Sequence, residues 1–184
     1  MGLDFAPPRD PRPSPAPEST NTGDLFRTVL PEGNVIEYGY DAAGRLLTIE
    51  RKPDDQPTTR GERVRFELDG FGNRVLEAQE RWEGGAWVEH ARTEYVYSTR
   101  CYLDETIRGS GAEAATTEYA YDCNGNLERI WDANHPSNGQ TNQATTEYLY
   151  DALDRLEEVR QPFGGAGGGT LVTSYQYDVQ DHLT

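Results

Sequence analysis

Thr116-Thr-Glu-Tyr-Ala-Tyr-Asp-Cys-Asn-Gly-Asn-Leu127 is the stretch that decides the fold of this 184-residue chain. Thr117, Tyr119 and Tyr121 fall at every second position, a period of two that puts one β-branched and two aromatic side chains on one face of a strand. Asp122 then closes the strand, and Gly125 follows three residues later. Aspartate accepts backbone hydrogen bonds at the start of a turn, and glycine takes the left-handed position of a three-residue hairpin loop. Leu127 opens a return strand that lies back on the tyrosine face.

The same order returns along the chain. Its first aromatics are Tyr38, Phe66, Tyr95, Tyr119, Tyr148 and Tyr175, spaced by 28, 29, 24, 29 and 27 residues. The second aromatic position holds Tyr40, Tyr97, Tyr121, Tyr150 and Tyr177, so the repeat uses ten of the 11 tyrosines. Asp41, Asp69, Asp122, Asp151 and Asp178 close the strands, and Gly44, Gly72 and Gly125 stand three residues on, replaced by Asp154 and Asp181 in the last two units. A three-residue loop pairs Tyr40 with Leu46, Tyr121 with Leu127, Tyr150 with Leu156 and Tyr177 with Leu183. Each such cross-strand pair contributes only about 0.2–1 kcal/mol, so repetition itself is the expected source of stability. Leu46 and Ile49, Leu127 and Ile130, and Leu156 and Val159 lie three apart, which requires either a bulge or burial on both faces. Hairpin chemistry also marks the connectors, in Trp82-Glu-Gly-Gly-Ala-Trp87 and in the glycine-rich Phe163 to Gly169.

Tyr-x-Tyr-Asp-x-x-Gly-Arg/Asn-Leu, recurring from about residue 34 to the C-terminus, resembles the YD repeat of the Rhs repeat proteins. The resemblance implies an all-β fold: consecutive antiparallel hairpins forming a curved, open sheet that is a segment of a hollow shell. Such shells occur in Rhs polymorphic toxins, the C component of Tc insecticidal toxins and the teneurins. In the bacterial members the shell encloses a cytotoxic C-terminal domain before delivery. The resemblance therefore implies further shell repeats and an enclosed C-terminal domain as partners, in a bacterial protein exported or delivered to a target cell.

The sequence departs from that pattern in three ways. Six units are too few to close a shell, and the chain stops at Leu183-Thr184, partway through a return strand, which leaves an open sheet edge. A piece of something longer is expected. The Tyr95 unit carries Ser98 for Asp and Cys101 for Gly, and the Phe66 unit has Phe66 and Leu68 for its tyrosines and Arg74 for Leu, so these two hairpins are expected to be the least regular. No Asp-Pro-type self-cleavage segment appears.

Composition narrows the remaining classes. Seventeen basic against 32 acidic residues give a net charge of −15, and Lys52 is the single lysine. Phosphate recognition needs a basic footprint, so nucleic acid and anionic membrane surfaces are excluded as partners. No run approaches the roughly 18 apolar residues of a membrane span, and the N-terminus has neither the basic nor the apolar region of a signal peptide. Hydrophobic residues make up 35% of the chain, so the core is expected to be thin or aromatic. Six of the 11 prolines lie between Pro7 and Pro17, so residues 1–24 read as a Pro-rich disordered tail or linker and residues 25–184 as the repeat segment.

Candidate sites are weak beside the repeat. The tyrosines read first as packing residues and second as stacking platforms for glycans or a protein partner. The aspartates read as turn caps; Asp122-Cys-Asn-Gly-Asn126 has a scrap of calcium-loop spacing without the closing glutamate. His90, His135 and His182 have no second ligand at metal spacing, and no nucleophile and base pattern appears, so neither catalysis nor a cofactor is expected. Cys101 and Cys123 read as free thiols, and the glutamates between the aromatics, Glu37, Glu94, Glu118 and Glu147, as a solvated face. The function expected is a non-catalytic segment of a shell that encapsulates or scaffolds a toxin or other polypeptide; the alternative is a carbohydrate- or protein-binding surface module built on exposed aromatics.

Overall fold

The computed structural model describes residues 18–19, 24–54, 56, 58–133, 145–163 and 168–184. The prolines at positions 7–17, His135 and the glycines at 164, 165 and 167 lie outside the described residues. The chain divides into two compact units, residues 1–91 and 92–184.

In the first unit β1 (Glu18–Ser19), β2 (Leu25–Val29), β3 (Val35–Tyr40), β4 (Leu46–Lys52), β5 (Glu62–Leu68) and β6 (Arg74–Glu83) precede the first half of β7 (Ala86–Tyr97). Strands β1 to β6 pair antiparallel, each with its sequence neighbour. Gly84 and Gly85, both at positive φ (59° and 95°), join β6 to β7, the conformation a two-residue hairpin turn requires. In the second unit the rest of β7 is followed by β8 (Leu103–Arg108), β9 (Ala115–Tyr121), β10 (Leu127–Trp131), β11 (Thr146–Tyr150), β12 (Leu156–Phe163) and β13 (Gly169–Ser174), again antiparallel neighbours throughout. A 3-10 turn at Gly111–Glu113 is the sole other element among the described residues. Each unit is an open all-β sheet of hairpins.

The registers answer the question left by the three-residue separations. Tyr40 lies opposite Leu46 and Gly39 opposite Thr48, so Leu47 is skipped. Glu128 and Glu157 are skipped in the same way, as are Val75 and Asp104 in the Phe66 and Tyr95 units. A bulge at the second residue of each return strand shifts the alternation by one and brings Ile49, Ile130 and Val159 back opposite Tyr38, Tyr119 and Tyr148.

One more hairpin precedes those legible in the sequence. Ser19 lies opposite Leu25 and Glu18 opposite Arg27, with Phe26 skipped, the same two-pair signature. Glu18–Ser19 thus belongs to the sheet, although composition had placed it in the tail. The sequence from Thr20 through Gly23 and Asp24 to Leu25 then aligns with Asp41 through Gly44 and Arg45 to Leu46.

The core is as thin as the composition requires. Among the described residues, the buried apolar side chains are Val35, Phe66, Leu76 and Ala78, all in the first unit. Alternation from Tyr38 and Phe66 puts Val35, Leu76 and Ala78 on the face opposite the aromatics, so in this unit both faces bury something. Four such side chains, at about 1.5–3 kcal/mol for each large one, cannot hold 13 strands. The bonds between repeats must supply the rest.

Candidate functional surface

Each loop runs five positions, from the aspartate to the residue before the return strand. The first N–H donates to the fifth carbonyl at 2.8–2.9 Å, and the fourth N–H donates to the first carbonyl at 2.9–3.2 Å, in all six loops. Gly44, Gly72 and Gly125 hold the fourth position at φ of 77°, 92° and 94°, and Cys101, Asp154 and Asp181 hold it at 63°, 60° and 65°. The Phe66 and Tyr95 hairpins therefore keep the common geometry, contrary to the expectation that they would be irregular. The reason is local: Asp69 caps one loop normally, and in the other the Ser98 hydroxyl accepts from Tyr102 N–H at 3.1 Å, as an aspartate carboxylate would.

The aspartates are fully committed to these loops. Oδ1 of Asp41, Asp69, Asp122, Asp151 and Asp178 accepts from the N–H groups of the third and fifth loop positions at 2.7–3.0 Å. Oδ2 meets the fifth side chain: Arg45 Nε at 2.7 Å, Asn73 Nδ2 at 2.9 Å, Asn126 Nδ2 at 3.0 Å, Arg155 Nε at 2.8 Å and His182 Nδ1 at 3.2 Å. These bonds favour the charged form. Donation from Arg45 lowers the Asp41 pKa, from Asn73 that of Asp69, from Arg155 that of Asp151, and from His182 that of Asp178. At Asp122 desolvation pushes upward, and the Asn126 bonds outweigh it.

The second tyrosine of four units, Tyr40, Tyr121, Tyr150 and Tyr177, reaches backwards. Tyr121 Oη donates to Leu103 O at 3.1 Å, Tyr150 to Leu127 O at 2.9 Å and Tyr177 to Leu156 O at 2.8 Å, and each of those leucines is the one that pairs with the second tyrosine of the preceding unit. Tyr40 Oη likewise donates to Leu25 O at 2.7 Å. The hydroxyl hooks one hairpin to the one before, which explains tyrosine rather than phenylalanine at this position. The first-position aromatics pack differently: Tyr38, Tyr119 and Tyr148 lie opposite Ile49, Ile130 and Val159, Tyr95 lies opposite Thr106, and Phe66 lies beneath the Arg74 guanidinium at 4.0 Å. Tyr175 N–H donates to Glu157 O at 2.8 Å.

A family model for the RHS repeat matches residues 22–57, a range that includes β2, β3 and β4. Residues 22–57 are an RHS repeat. Among solved structures, the TcdB2-TccC3 assembly without its hypervariable C-terminal region matches over 91% of this chain with a TM-score of 0.53 and 16% sequence identity, a likeness of fold. This chain spans 10% of the matched one. Two other forms of TcdB2-TccC3, one with TEV and one with Cdc42, match at TM-scores of 0.39 and 0.37, both at 16% identity, over 91% and 88% of this chain and 11% of theirs. A comparison with curated proteins found no match.

The fifth loop position is the one that sequence reasoning left without a role. It touches the next loop as well as its own aspartate: Asn126 Nδ2 donates to Asp154 Oδ1 at 2.9 Å, and Arg155 Nη1 to Asp181 Oδ1 at 2.6 Å. It also covers the next unit's second tyrosine, with Tyr102 stacked on Tyr121 at 4.9 Å and the Arg155 guanidinium 4.7 Å over Tyr177. The signal was the recurrence of Arg and Asn four residues after Asp.

The face opposite the repeated tyrosines is not simply solvated acid. Lys52 is buried and paired with Glu37 at 2.6 Å, and Glu94 and Glu147 meet Arg92 and Arg129 at 2.7 and 3.8 Å. Glu80, 9% exposed, takes both Arg63 at 2.6 Å and Arg65 at 3.1 Å, and the Arg63 guanidinium lies 4.2 Å over Trp87, which meets Trp82 edge-on. Glu118 is exposed as expected. Cys101 and Cys123 are free and exposed. No group of three or more His, Cys, Asp or Glu among the described residues is arranged to hold a metal, and no helix is long and apolar enough to cross a membrane.

Proposed function

We propose that this chain is a structural, non-catalytic part of an RHS/YD-repeat shell that encloses or scaffolds a toxin or another polypeptide in a bacterial protein exported or delivered to a target cell. The observation that carries the reading is the use made of the repeated groups: tyrosine hydroxyls hook repeat to repeat, and the aspartates and fifth-position side chains close the loops. Residues required once per unit are thus spent on assembling hairpins, the economy of a wall. Further repeats and an enclosed C-terminal domain are its partners in this reading. The test is to isolate the native product from its source cell with antibody against residues 25–184, and to follow limited proteolysis by mass spectrometry. A polypeptide that resists protease until the repeat sheet is opened supports enclosure. A 20.6 kDa product with no protected companion refutes it.

A further inference from the structure

On the tyrosine face of the first unit, two cross-strand rows lie side by side. Tyr38, Ile49, Val64 and Gln79 stand opposite one another in turn across β3 to β6, and Arg51, Glu62 and Arg81 do the same two residues further along. Strand alternation keeps both rows on one face. Apart from Tyr38, these residues line a cavity of about 280 Å³, with His90 of β7 beside them. Ile49 and Val64, a half-buried cross-strand pair, give it an apolar floor. Arg63 and Glu80 also border it, but alternation turns their side chains to the opposite face, where they meet at 2.6 Å.

The charges at the rim do not cancel. Arg81 Nη2 donates to Glu62 Oε1 at 2.7 Å, and His90 Nε2 lies 3.0 Å from Glu83 Oε1. Arg51 stands opposite the same Glu62, which Arg81 already holds, and among the described residues Arg51 forms no ion pair. An exposed, unspent guanidinium therefore sits beside an apolar floor, in a chain that carries 32 acidic residues against 17 basic ones. A guanidinium matches a carboxylate with two parallel N–H donors, and an apolar floor favours methylene groups over a fully hydrated inorganic anion. We propose that this cavity binds an aliphatic carboxylate, its head on the Arg51 guanidinium and its hydrocarbon chain over Ile49 and Val64. Such a group is carried by a free short-chain acid and by a polypeptide ending in an aliphatic residue. The site goes beyond the shell reading and stands whether or not the sheet encloses anything.

The test is an NMR titration of the full chain with sodium hexanoate at constant ionic strength, set against hexanamide, which lacks the charge, and acetate, which lacks the chain. Hexanoate should give saturating shifts centred on Ile49, Arg51, Val64 and Gln79, with hexanamide and acetate each weaker by about tenfold. Arg51→Gln should weaken hexanoate by about tenfold, whereas Arg129→Gln, which removes the same charge from the second unit, should leave it unchanged. Val64→Thr, close in shape, should weaken hexanoate severalfold and acetate not at all. Hexanamide binding as tightly as hexanoate, undiminished binding by Arg51→Gln, or equal losses in Arg51→Gln and Arg129→Gln would overturn the proposal. Acetate matching hexanoate would overturn the role of the apolar floor. The peptide acetyl-Gly-Gly-Leu with a free C-terminus separates the two sources: binding at the same residues assigns the carboxylate to a chain end, and hexanoate binding without it assigns a free acid.

Discussion

A tyrosine hydroxyl and a glycine hydrogen atom show how much of each repeat depends on single groups. Tyr150 donates to Leu127 O at 2.9 Å in a half-buried setting, so Tyr150→Phe removes the hook and leaves the ring. A hydrogen bond of this kind contributes about 0.5–1.5 kcal/mol, and urea unfolding should show that loss with an unchanged slope. A variant as stable as the parent would mean that the hook is incidental. Gly125 is constrained twice over. It sits at φ 94°, where an L side chain costs roughly 1–2 kcal/mol, and an added Cβ would come within 2.4 Å of the Tyr102 hydroxyl. Gly125→Ala should therefore cost more than the backbone effect alone, and adding Tyr102→Ala should relieve the excess in a double-mutant cycle. Asp154 occupies the same position at φ 60° and gains the bonds from Asn124 and Asn126 that a glycine could not accept.

The loop is the element in which charge matters most. Five aspartates whose folded pKa values are lowered contribute stability that is fully present above the unfolded value of about 3.9 and is lost as the pH falls through the folded values. The melting temperature should thus hold steady from neutrality down to about pH 5 and fall steeply below about pH 4, less steeply in Asp151→Ala. A melting temperature that rises on acidification would show that relief of the acidic excess outweighs the caps. These hairpins were legible in the sequence because a period of two ends at an aspartate and a glycine at fixed offsets, and both signals are local. The bulge was not, since a three-residue separation fits either a skipped residue or a second buried face, and only the pairing of Gly39 with Thr48 distinguishes them. The β1–β2 hairpin was hidden because Ser19 and Thr20 stand where tyrosine and aspartate mark the other units. The Arg63–Glu80–Arg65 cluster was equally invisible, because its partners are brought together by strand register across 15 to 17 residues.

For the molecule as a whole, stability in such an array is approximately a sum of repeat terms and nearest-neighbour interfaces, so it need not be uniform. In the first unit β5 and β6 carry Phe66, Leu76 and Ala78 as buried side chains, together with Glu80 held by two arginines. In the second unit every residue of β13 is exposed, including Leu171 at 57% and Val172 at 47%, and its ladder to β12 includes Pro162, which has no N–H to donate. Local opening costs least where few apolar contacts are broken. Native-state amide exchange should therefore find the β5–β6 amides slowest and the β12–β13 amides fast, with the β9–β10 and β11–β12 hairpins between them because their hooks and loop ladders must break before they open. If β13 is protected as well as β5 and β6, a partner strand is already paired to its outer edge in solution, and protection that falls on dilution would identify that partner as a second copy of this chain.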